Sequence, residues 1–375
     1  MKIREIITTP LKINVDRRVG AVTDTKGFRF ASIILLVQIR TDNGIEGIGE
    51  VNGSPDWSGE TCLGAKALID EHLAPCLLGE DPRRIRACMD RLNKTFGNPF
   101  AKAGIEMALF DLVGKSLNTP VYQLLGGLVR GLEIPLRFPI MPVGPELTAD
   151  VASKMVSEGF QTIKLKVGHD PLEFDLHRIR MVRDAVGSEV RLTVDANGGW
   201  SVNEAIRAAP QLEELGIAFI EQPVHRLDLD GLAQVRRAAR LPIMADEAIF
   251  TVQDALACLQ MKAADIISVY PGKNSGLLNT LTIANMAEAA GVPCALGSNL
   301  EWDIGSAAML HAVGAIRNID VERYAADVIG PVFHTEHASS PSLLGSPGHA
   351  LIPTGPGLGL TLDSGQLKLL MSESR

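Results

Sequence analysis

The sequence predicts an α/β protein in which a (β/α)7β TIM-like barrel follows an α+β domain. From Leu132 onward, short apolar runs alternate with helical patterns, and three successive runs end in Asp195, Glu221 and Asp246. These carboxylates recur about once per strand, helix and two loops, which is the repeat of a parallel barrel with its site at the strand C-terminal ends. In the earlier part of the chain, strand patterns come before helical patterns, which is typical of an α+β domain.

The predicted α+β domain spans residues 1–130. Its strands are predicted at residues 2–15, 31–39 and 47–51. Asp42, Asn43 and Gly44 form a hairpin turn signal between the last two strands. Its helices are predicted at residues 59–77, 81–94 and 100–117.

The predicted barrel spans residues 131–338. Its eight strands are predicted at residues 133–140, 162–167, 191–195, 218–221, 243–246, 265–270, 293–297 and 319–322. Helical patterns fill the gaps between them, so a closed (β/α)7β barrel is the expected architecture. The remaining segment, 339–375, is rich in Gly, Pro and Ser, and we expect it to return to the N-terminal domain.

Composition excludes several classes of partner. The net charge of −8 disfavours binding to nucleic acid or to an anionic membrane surface. The five cysteines are odd in number and form no C-x-x-C motif, which favours a reducing cytoplasm. No secretory signal is evident, and the longest apolar run, 31–37, is far too short to span a bilayer.

Two lysines, Lys164 and Lys166, lie in the second predicted barrel strand, T-I-K-L-K-V-G. Alternate residues of a strand point to the same face, so both ammonium groups point to one place. One interpretation is a half-buried strand with solvated lysines. Parallel barrel strands are buried on both faces, however, and a buried lysine pair is costly unless opposite charges meet it.

The three recurring carboxylates predict a metal site. Asp195, Glu221 and Asp246 at adjacent strand ends offer the oxygen ligands that Mg²⁺ prefers, and Mn²⁺ is a possible substitute. Asn197 is a candidate supporting donor. The competing interpretation is that the aspartates are helix N-caps. A substrate carboxylate bound at such a metal favours an enediolate when its α-proton leaves, and a lysine with a depressed pKa can take that proton.

Several longer motifs resemble the enolase superfamily, in particular the muconate-lactonizing subgroup of the mandelate racemase/muconate lactonizing enzyme family. The resemblance covers nearly the whole chain. The motifs are A-G-I-E-M-A-L-F-D-L-V-G-K (103–115), P-V-Y-Q-L-L-G-G (120–127), V-D-A-N-G-G-W (194–200), I-E-Q-P-V (220–224), A-D-E-A (245–248) and G-P-G-L-G-L (355–360). The first two are similar to the family's capping-domain helix and its exit, and the next three to its metal-binding strands.

The resemblance implies specific roles for residues of this chain. It implies that Asp195, Glu221 and Asp246 bind Mg²⁺, that Lys166 is the base, and that Lys164 lowers the pKa of Lys166 and contacts the substrate carboxylate. It further implies an α+β capping domain, a small carboxylic-acid substrate and a homo-oligomer. It places three more residues near the substrate, namely Glu301, Glu322 and, in a capping-domain loop, Trp57.

The chain departs from the family pattern after the sixth barrel strand. The subgroup usually carries a second catalytic lysine there, and Tyr270 stands at that position, whereas Lys273 keeps the supporting lysine of the motif. Because an unperturbed tyrosine has a pKa of about 10, it is a poor base but a usable acid or hydrogen-bond donor. The alternative role of Tyr270 is packing. The substitution counts against simple two-base racemisation.

Four functions therefore stay open. The first is proton abstraction followed by β-elimination or cycloisomerisation, with Lys166 as base and Tyr270 as a candidate acid. The second is a racemase or epimerase of an amino-acid derivative or hydroxy acid. The third is a Schiff-base aldolase, which needs a lysine but not the three carboxylates. The fourth is a binding protein without turnover.

Overall fold

The structure is a computed structural model and describes residues 1–16, 22–24, 27–29 and 31–372. The N-terminal part contains a three-stranded antiparallel sheet, in the order β1-β4-β5, and a separate short hairpin of β2 and β3. The strands are β1 (Ile3–Asn14), β2 (Val22–Asp24), β3 (Gly27–Arg29), β4 (Ala31–Thr41) and β5 (Glu46–Val51). The helices that follow are α1 (Cys62–Leu68), α2 (Ile85–Leu92), α3 (Pro99–Ser116) and α4 (Val121–Leu124).

Helix α3 packs directly against strand β5. The two elements approach closely because β5 presents glycines to the helix backbone. A Cβ atom at Gly49 would collide with the carbonyl oxygen of Gly104, and one at Gly47 would collide with the carbonyl oxygen of Ala108. The absence of a side chain at these two positions is therefore what allows the sheet and the helix to meet.

The following segment forms a curled sheet of seven parallel strands in sequential order from β7 to β13. A short strand, β6 (Glu133–Pro135), precedes it. The parallel strands are β7 (Arg137–Ile140), β8 (Thr162–Lys166), β9 (Arg191–Asp195), β10 (Ile217–Glu221), β11 (Ile243–Ala245), β12 (Ile266–Val269) and β13 (Cys294–Leu296). The helices are α5 (Pro145–Ser157), α6 (Leu172–Val186), α7 (Val202–Glu214), α8 (Leu229–Ala238), α9 (Val252–Met261), α10 (Leu277–Ala289), α11 (Asp303–Ala315) and α12 (Gly330–Phe333).

The ring is closed between β13 and β7 by an irregular segment rather than by the eighth strand predicted at 319–322. This segment makes one parallel bridge from Ile319 to Cys294 and another from Ala326 to Leu136. Between the bridges the chain forms a turn, in which Arg323 Nε donates to Asp320 Oδ2 at 2.6 Å. The predicted class, a TIM-like barrel with an α+β domain, is confirmed.

The C-terminal segment contacts both parts of the protein. Its elements are β14 (Ser339–Ser340), β15 (His349–Leu351), β16 (Thr361–Leu362) and α13 (Ser364–Ser372). Strand β15 pairs with β6, and α13 packs against β1. The backbone N–H of Leu358 donates to Asp111 of α3 at 2.8 Å. The boundaries predicted for the three segments, 1–130, 131–338 and 339–375, stay predictions. In the part of the chain that the structure describes, every helix is too short or too polar to cross a membrane.

Candidate active site

A cavity of about 940 Å³ lies at the C-terminal ends of the barrel strands and is bordered by the N-terminal domain. Because the strands are parallel, their C-terminal residues all lie at one end of the barrel. The charged side chains predicted for the site meet there, since the lining includes Lys164, Lys166, Asp195, Glu221 and Asp246. The N-terminal domain contributes the loop after β5 and the starts of β4 and α1 to the outer wall, and barrel loops contribute Met141, Leu300 and Ile329.

Strand β8 points both of its lysines toward neighbouring carboxylates. Lys166 Nζ donates to Asp195 Oδ2 and to Asn197 Oδ1, each at 2.7 Å, and its side chain keeps 17% of its surface exposed. Lys164 is deeper, and its Nζ lies 2.6 Å from Asp327 Oδ2 and 3.4 Å from Asp195 Oδ2. The two ammonium groups therefore share Asp195, which the parallel register places beside Lys166.

The surroundings of Lys164 favour its charged form. Burial alone lowers the pKa of its ammonium group, but the negative charges of Asp327 and Glu221 outweigh burial and raise that pKa above its ordinary value. Asp327 Oδ2 also accepts from Arg137 Nη2 at 2.8 Å, and Arg137 is fully buried. A fixed positive charge thus stands next to Lys166 on the same face of β8.

Three carboxylates end adjacent strands. Asp195 ends β9, Glu221 ends β10 in register with it, and Asp246 directly follows β11. Burial and the negative charge of Asp195 raise the pKa of Glu221 to about 7, and Asp246 contributes in the same direction. Burial opposes ionisation of Asp195, but the charges of Lys166 and Lys164 outweigh it and lower the pKa of Asp195.

The donor set fits a divalent cation. Within residues 1–16, 22–24, 27–29 and 31–372, no three His, Cys, Asp or Glu side chains are already gathered closely enough to enclose a metal ion. The three carboxylates nonetheless line one cavity from neighbouring strand ends, and they supply hard oxygen ligands. Burial is the main cause of the raised pKa of Glu221, and the charges of Asp195 and Asp246 add to it; a divalent cation would offset that added repulsion.

Lys273 supports the third carboxylate rather than facing the cavity. Its Nζ is fully buried and donates to Asp246 Oδ1 at 2.6 Å, to the carbonyl oxygen of Asp246 at 2.8 Å and to that of Ser268 at 2.9 Å. The three acceptors use all three N–H groups of the ammonium. Lys273 is thereby committed to positioning Asp246.

Tyr270 lies across the barrel from Lys166, because β12 and β8 are separated by three strands of the ring. Its side chain is fully buried, and its hydroxyl has no hydrogen-bond partner among the described residues. Its ring stacks on that of Trp57, with centroids 6.0 Å apart and planes 28° apart. Burial, followed by the charge of Asp246, raises the pKa of Tyr270 well above its ordinary value. Trp57, rather than Tyr270, lines the cavity.

Trp57 connects the N-terminal domain to Lys166 through hydrogen bonds. Its indole N–H donates to Glu247 Oε1 at 3.0 Å, and Asn197 Nδ2 donates to the same oxygen at 2.6 Å. Asn197 Oδ1 in turn accepts from Lys166. Burial and the charge of Asp246 raise the pKa of Glu247 to about 8. A chain of three hydrogen bonds thus runs from Trp57 to the ammonium of Lys166.

Glu301 and Glu322, like Tyr270 and Lys273, lie outside the lining of this cavity. Glu301 is buried behind its own loop, where Oε2 accepts from the hydroxyl of Ser298 at 2.6 Å; burial raises its pKa to about 7. Glu322 is exposed and lines a separate cavity at the N-terminal ends of the strands, together with Thr162 and Arg191. The turn between the closing bridges carries Glu322 away from the strand C-termini.

Sequence reasoning missed the role of Asp327, which is buried and bridges Lys164 and Arg137. The motif Y-A-A-D-V-I-G (324–330) could have indicated this role, because Asp327 follows a short apolar run in the same way as Asp195. Glu247 was also missed, although it adjoins Asp246. Arg137 lies in the first parallel strand, and its inward direction depends on the register of that strand.

Comparison with known proteins gives matches over nearly the whole chain. The model of the mandelate racemase/muconate lactonizing enzyme N-terminal domain matches residues 16–126, and the enolase C-terminal domain-like model matches residues 147–366. Muconate cycloisomerase 1 of Pseudomonas putida is 37% identical over 338 residues, which is 89% of each chain. The L-Ala-D/L-Glu epimerase of Bacillus subtilis is 36% identical over 351 residues, which is 91% of this chain and 94% of the epimerase.

Solved structures agree with the sequence relatives. The crystal structure of N-succinyl Arg/Lys racemase from Bacillus cereus superposes with a TM-score of 0.93 at 31% identity, covering 99% of this chain and 98% of the racemase. The muconate lactonizing enzyme from Pseudomonas putida superposes with a TM-score of 0.90 at 33% identity, covering 99% of each chain. Both the barrel and the N-terminal domain are therefore shared with these enzymes.

Proposed function

The chain belongs to the mandelate racemase/muconate lactonizing enzyme family of the enolase superfamily, and on that premise we propose that it removes the proton α to a substrate carboxylate. Its relatives are cycloisomerases, epimerases and racemases, and the chain is an enzyme of the same superfamily. The observation that carries the proposal is the placement of Lys166 at the cavity surface, next to Lys164, whose ammonium group is paired with Asp327.

Family membership implies a divalent metal ion, and we propose Mg²⁺ held by Asp195, Glu221 and Asp246, with Mn²⁺ as a substitute. When bound, such an ion supplies positive charge where negative charge develops on the substrate carboxylate. Lys273 orients Asp246 for this role, and Asn197 holds Lys166 beside Asp195. The family role of these residues, together with their convergence on one cavity, supports the assignment.

The proposed proton transfer uses Lys166 as the base, because its side chain reaches the cavity surface and its Nζ is held 2.7 Å from Asp195 Oδ2 and from Asn197 Oδ1. Lys164 lies on the same face of β8, with its Nζ 3.4 Å from Asp195 Oδ2. Lys164 also provides a cation for the substrate carboxylate, since its charge is fixed by Asp327. The α-proton moves to Lys166 Nζ, and an enediolate is left in the cavity.

We propose that the enediolate takes part in β-elimination or in cycloisomerisation. In β-elimination it expels a leaving group from the β-carbon as the double bond forms. In cycloisomerisation the ring opens after Lys166 has removed the α-proton, and in the reverse direction the ring closes to the enediolate and Lys166 returns the proton. Tyr270 occupies the position of a second base, but its hydroxyl is buried under Trp57 and its pKa is raised, so it is unsuited to protonate or deprotonate the opposite face. The second candidate is racemisation or epimerisation of an amino-acid derivative or hydroxy acid. It is favoured by the relatives that are epimerases and racemases, and it would need a proton donor other than Tyr270.

The test is incubation of the enzyme in D₂O with carboxylic acids of several classes, including cis,cis-muconate, L-Ala-L-Glu and N-succinyl-L-arginine, with Mg²⁺ or with EDTA. Mass spectrometry detects deuterium at the α-carbon and loss of a leaving group, and polarimetry detects inversion. The proposal predicts turnover or exchange with Mg²⁺ and none with EDTA. Activity that survives EDTA and is trapped by borohydride would instead support the Schiff-base aldolase, and absence of exchange throughout would support a binding protein.

We also propose a small carboxylic acid as the substrate, a cytoplasmic location and a homo-oligomer. All five cysteines are free, which suits a reducing compartment. Sedimentation velocity of the purified protein tests the oligomeric state.

A further inference from the structure

The loop after β5 extends from the N-terminal domain to the cavity, and its residues 52–57 form part of the cavity lining. Its tip is a tight turn, in which the N–H groups of Trp57 and Ser58 donate to the carbonyl oxygen of Ser54 at 3.2 and 2.7 Å. These hydrogen bonds shape the turn, but they lie within the loop and do not determine where its tip lies relative to the barrel. Contacts with the barrel determine that position.

The start of the loop is joined to the barrel by a reciprocal pair of hydrogen bonds. Asn52 Nδ2 donates to the carbonyl oxygen of Asn299 at 2.7 Å, and Asn299 Nδ2 donates to that of Asn52 at 2.6 Å. Asn52 is buried and directly follows β5, whereas Asn299 belongs to the segment after β13. Each amide side chain thus satisfies a backbone carbonyl of the other loop, which fixes the first residue of the loop after β5 against the barrel.

Arg226 holds the tip of the same loop. It lies between β10 and α8, and its Nη1 donates to the carbonyl oxygen of Trp57 at 2.9 Å. Because a guanidinium donor is charged, this hydrogen bond is stronger than one between neutral groups. The indole N–H of Trp57 donates to Glu247 Oε1 at 3.0 Å. Two barrel loops therefore bind Trp57, one through its backbone and the other through its side chain.

The aromatic rings around Trp57 restrict its indole less precisely than these hydrogen bonds do. The indole packs against the rings of Phe100, Phe250 and Tyr270, with centroids between 5.0 and 6.1 Å away. Aromatic rings stay in favourable contact over a range of offsets, whereas a hydrogen bond weakens steeply as its angle closes. A small displacement of the Trp57 backbone would therefore weaken the bond to Glu247 while the rings stay packed.

We propose that Arg226 is a positioning residue for Lys166. By holding the carbonyl of Trp57, it keeps the indole N–H directed at Glu247. Glu247 Oε1 also accepts from Asn197 Nδ2, and Asn197 Oδ1 accepts from Lys166 Nζ. Arg226 lies outside the cavity lining, so its effect passes through Trp57. This inference rests on the proposed function, because it takes Lys166 as the base.

The kinetic test compares Arg226→Ala, Trp57→Phe and the double variant in D₂O with Mg²⁺, using whichever of cis,cis-muconate, L-Ala-L-Glu and N-succinyl-L-arginine exchanges fastest. Arg226→Ala is expected to lower kcat about fivefold and to change KM less than about twofold, as expected for loss of one hydrogen bond that acts on the base. The double variant is expected to be no slower than Trp57→Phe, because Arg226 then has no indole N–H to direct.

Two kinetic outcomes would overturn the inference. One is a loss in the double variant equal to the product of the two single losses, since Arg226 would then act independently of Trp57. The other is an equal loss of kcat in Arg237→Ala. Arg237, an exposed arginine of α8, is the matched control and is expected to be replaceable at the wild-type rate.

Reductive methylation with formaldehyde and cyanoborohydride measures how firmly Lys166 is held without any substrate. Peptide mass spectrometry gives its rate relative to exposed Lys154 in the same sample. This ratio is expected to rise at least about twofold in Arg226→Ala and in Trp57→Phe, and to stay constant in Arg237→Ala. An unchanged ratio in Arg226→Ala overturns the inference. A raised ratio in a protein that exchanges no acid would overturn the proposed function and leave the positioning of Lys166 by Arg226 standing.

Discussion

Asp327 Oδ2 lies 2.6 Å from Lys164 Nζ in the lining of the cavity, at the end of the segment that closes the barrel. The same oxygen accepts from Arg137 at 2.8 Å, so one carboxylate neutralises part of two buried cations. Lys164 carries the positive charge next to the proposed base, Lys166. Asp327 belongs to the segment that closes the barrel, so the position of that segment determines how the charge of Lys164 is balanced.

Replacing Asp327 by Asn is expected to destabilise the fold and to weaken catalysis. Removal of one partner leaves buried charge without compensation, which typically costs about 3 kcal/mol or more of unfolding free energy. Chemical denaturation measures that loss, and α-proton exchange measures catalysis. Glu322→Gln is the matched control, because Glu322 is an exposed carboxylate of the same closing segment. Equal stability of Asp327→Asn and the wild type would refute the role assigned to this carboxylate.

Replacing Trp57 by Phe is expected to lower kcat for exchange by about tenfold while leaving the fold intact. The substitution keeps an aromatic ring over Tyr270 but removes the N–H group that donates a hydrogen bond to Glu247. Glu247 is then held less firmly, and so is the hydrogen-bonded path from Glu247 through Asn197 to Lys166. Steady-state kinetics separate the effect on kcat from that on KM. Trp200→Phe is a comparison variant, since the ring nitrogen of Trp200 has no partner among the described residues. A kcat loss of the same size in both variants would contradict a specific link.

Replacing Tyr270 by Phe is expected to change the exchange rate by less than about twofold. The hydroxyl is buried without a partner, and its removal therefore breaks no hydrogen bond and relieves an unsatisfied polar group. Thermal unfolding should show equal or slightly higher stability. A loss of a hundredfold or more in turnover, with unchanged stability, would mean that Tyr270 acts in the chemistry after all.

Glu106 of α3 should make stability depend on pH. Burial raises the pKa of its carboxyl to about 8, although the N–H groups of Leu277 and Leu278 partly oppose the shift. The unfolded chain has the ordinary pKa of about 4.5, so this group contributes full stability below that pH and loses its contribution as pH rises toward 8. Denaturation of Glu106→Gln should therefore show a stability gain over the wild type that grows with pH, by up to about 1.4 kcal/mol per unit. A stability gain of Glu106→Gln that stays constant from pH 5 to pH 8 would contradict the claim that Glu106 is protonated in the folded protein.

The barrel and the charged residues at its strand ends could be predicted because the sequence patterns that indicate them are local. Period-2 alternation places Lys164 and Lys166 on one face, and a carboxylate after each short apolar run places Asp195 beside Glu221. The family resemblance implies a carboxylate near the substrate at Glu322, whereas the structure places Asp327 in the cavity lining and Glu322 outside it. The closing segment forms isolated bridges rather than a regular strand, so the position of its side chains could not be predicted from alternation along a strand.

The surroundings of Tyr270 show a second limit of local patterns. Its burial depends on Trp57 and Phe100, which come from the N-terminal domain, far away in sequence. Such a contact follows from how two segments pack together and leaves no periodic signal in either one. The hydrogen bond from Trp57 to Glu247 is unpredictable for the same reason.

The most direct test of the central claim is the rate of α-proton exchange in D₂O with Mg²⁺, for wild type, Lys166→Ala and Lys154→Ala. Lys154 is an exposed lysine of α5 and serves as the control. Loss of a positioned general base typically slows proton transfer by a hundredfold or more, so we expect exchange to fall by at least about that factor in Lys166→Ala and to stay at the wild-type rate in Lys154→Ala. Exchange at the wild-type rate in Lys166→Ala would contradict the claim that this lysine removes the proton.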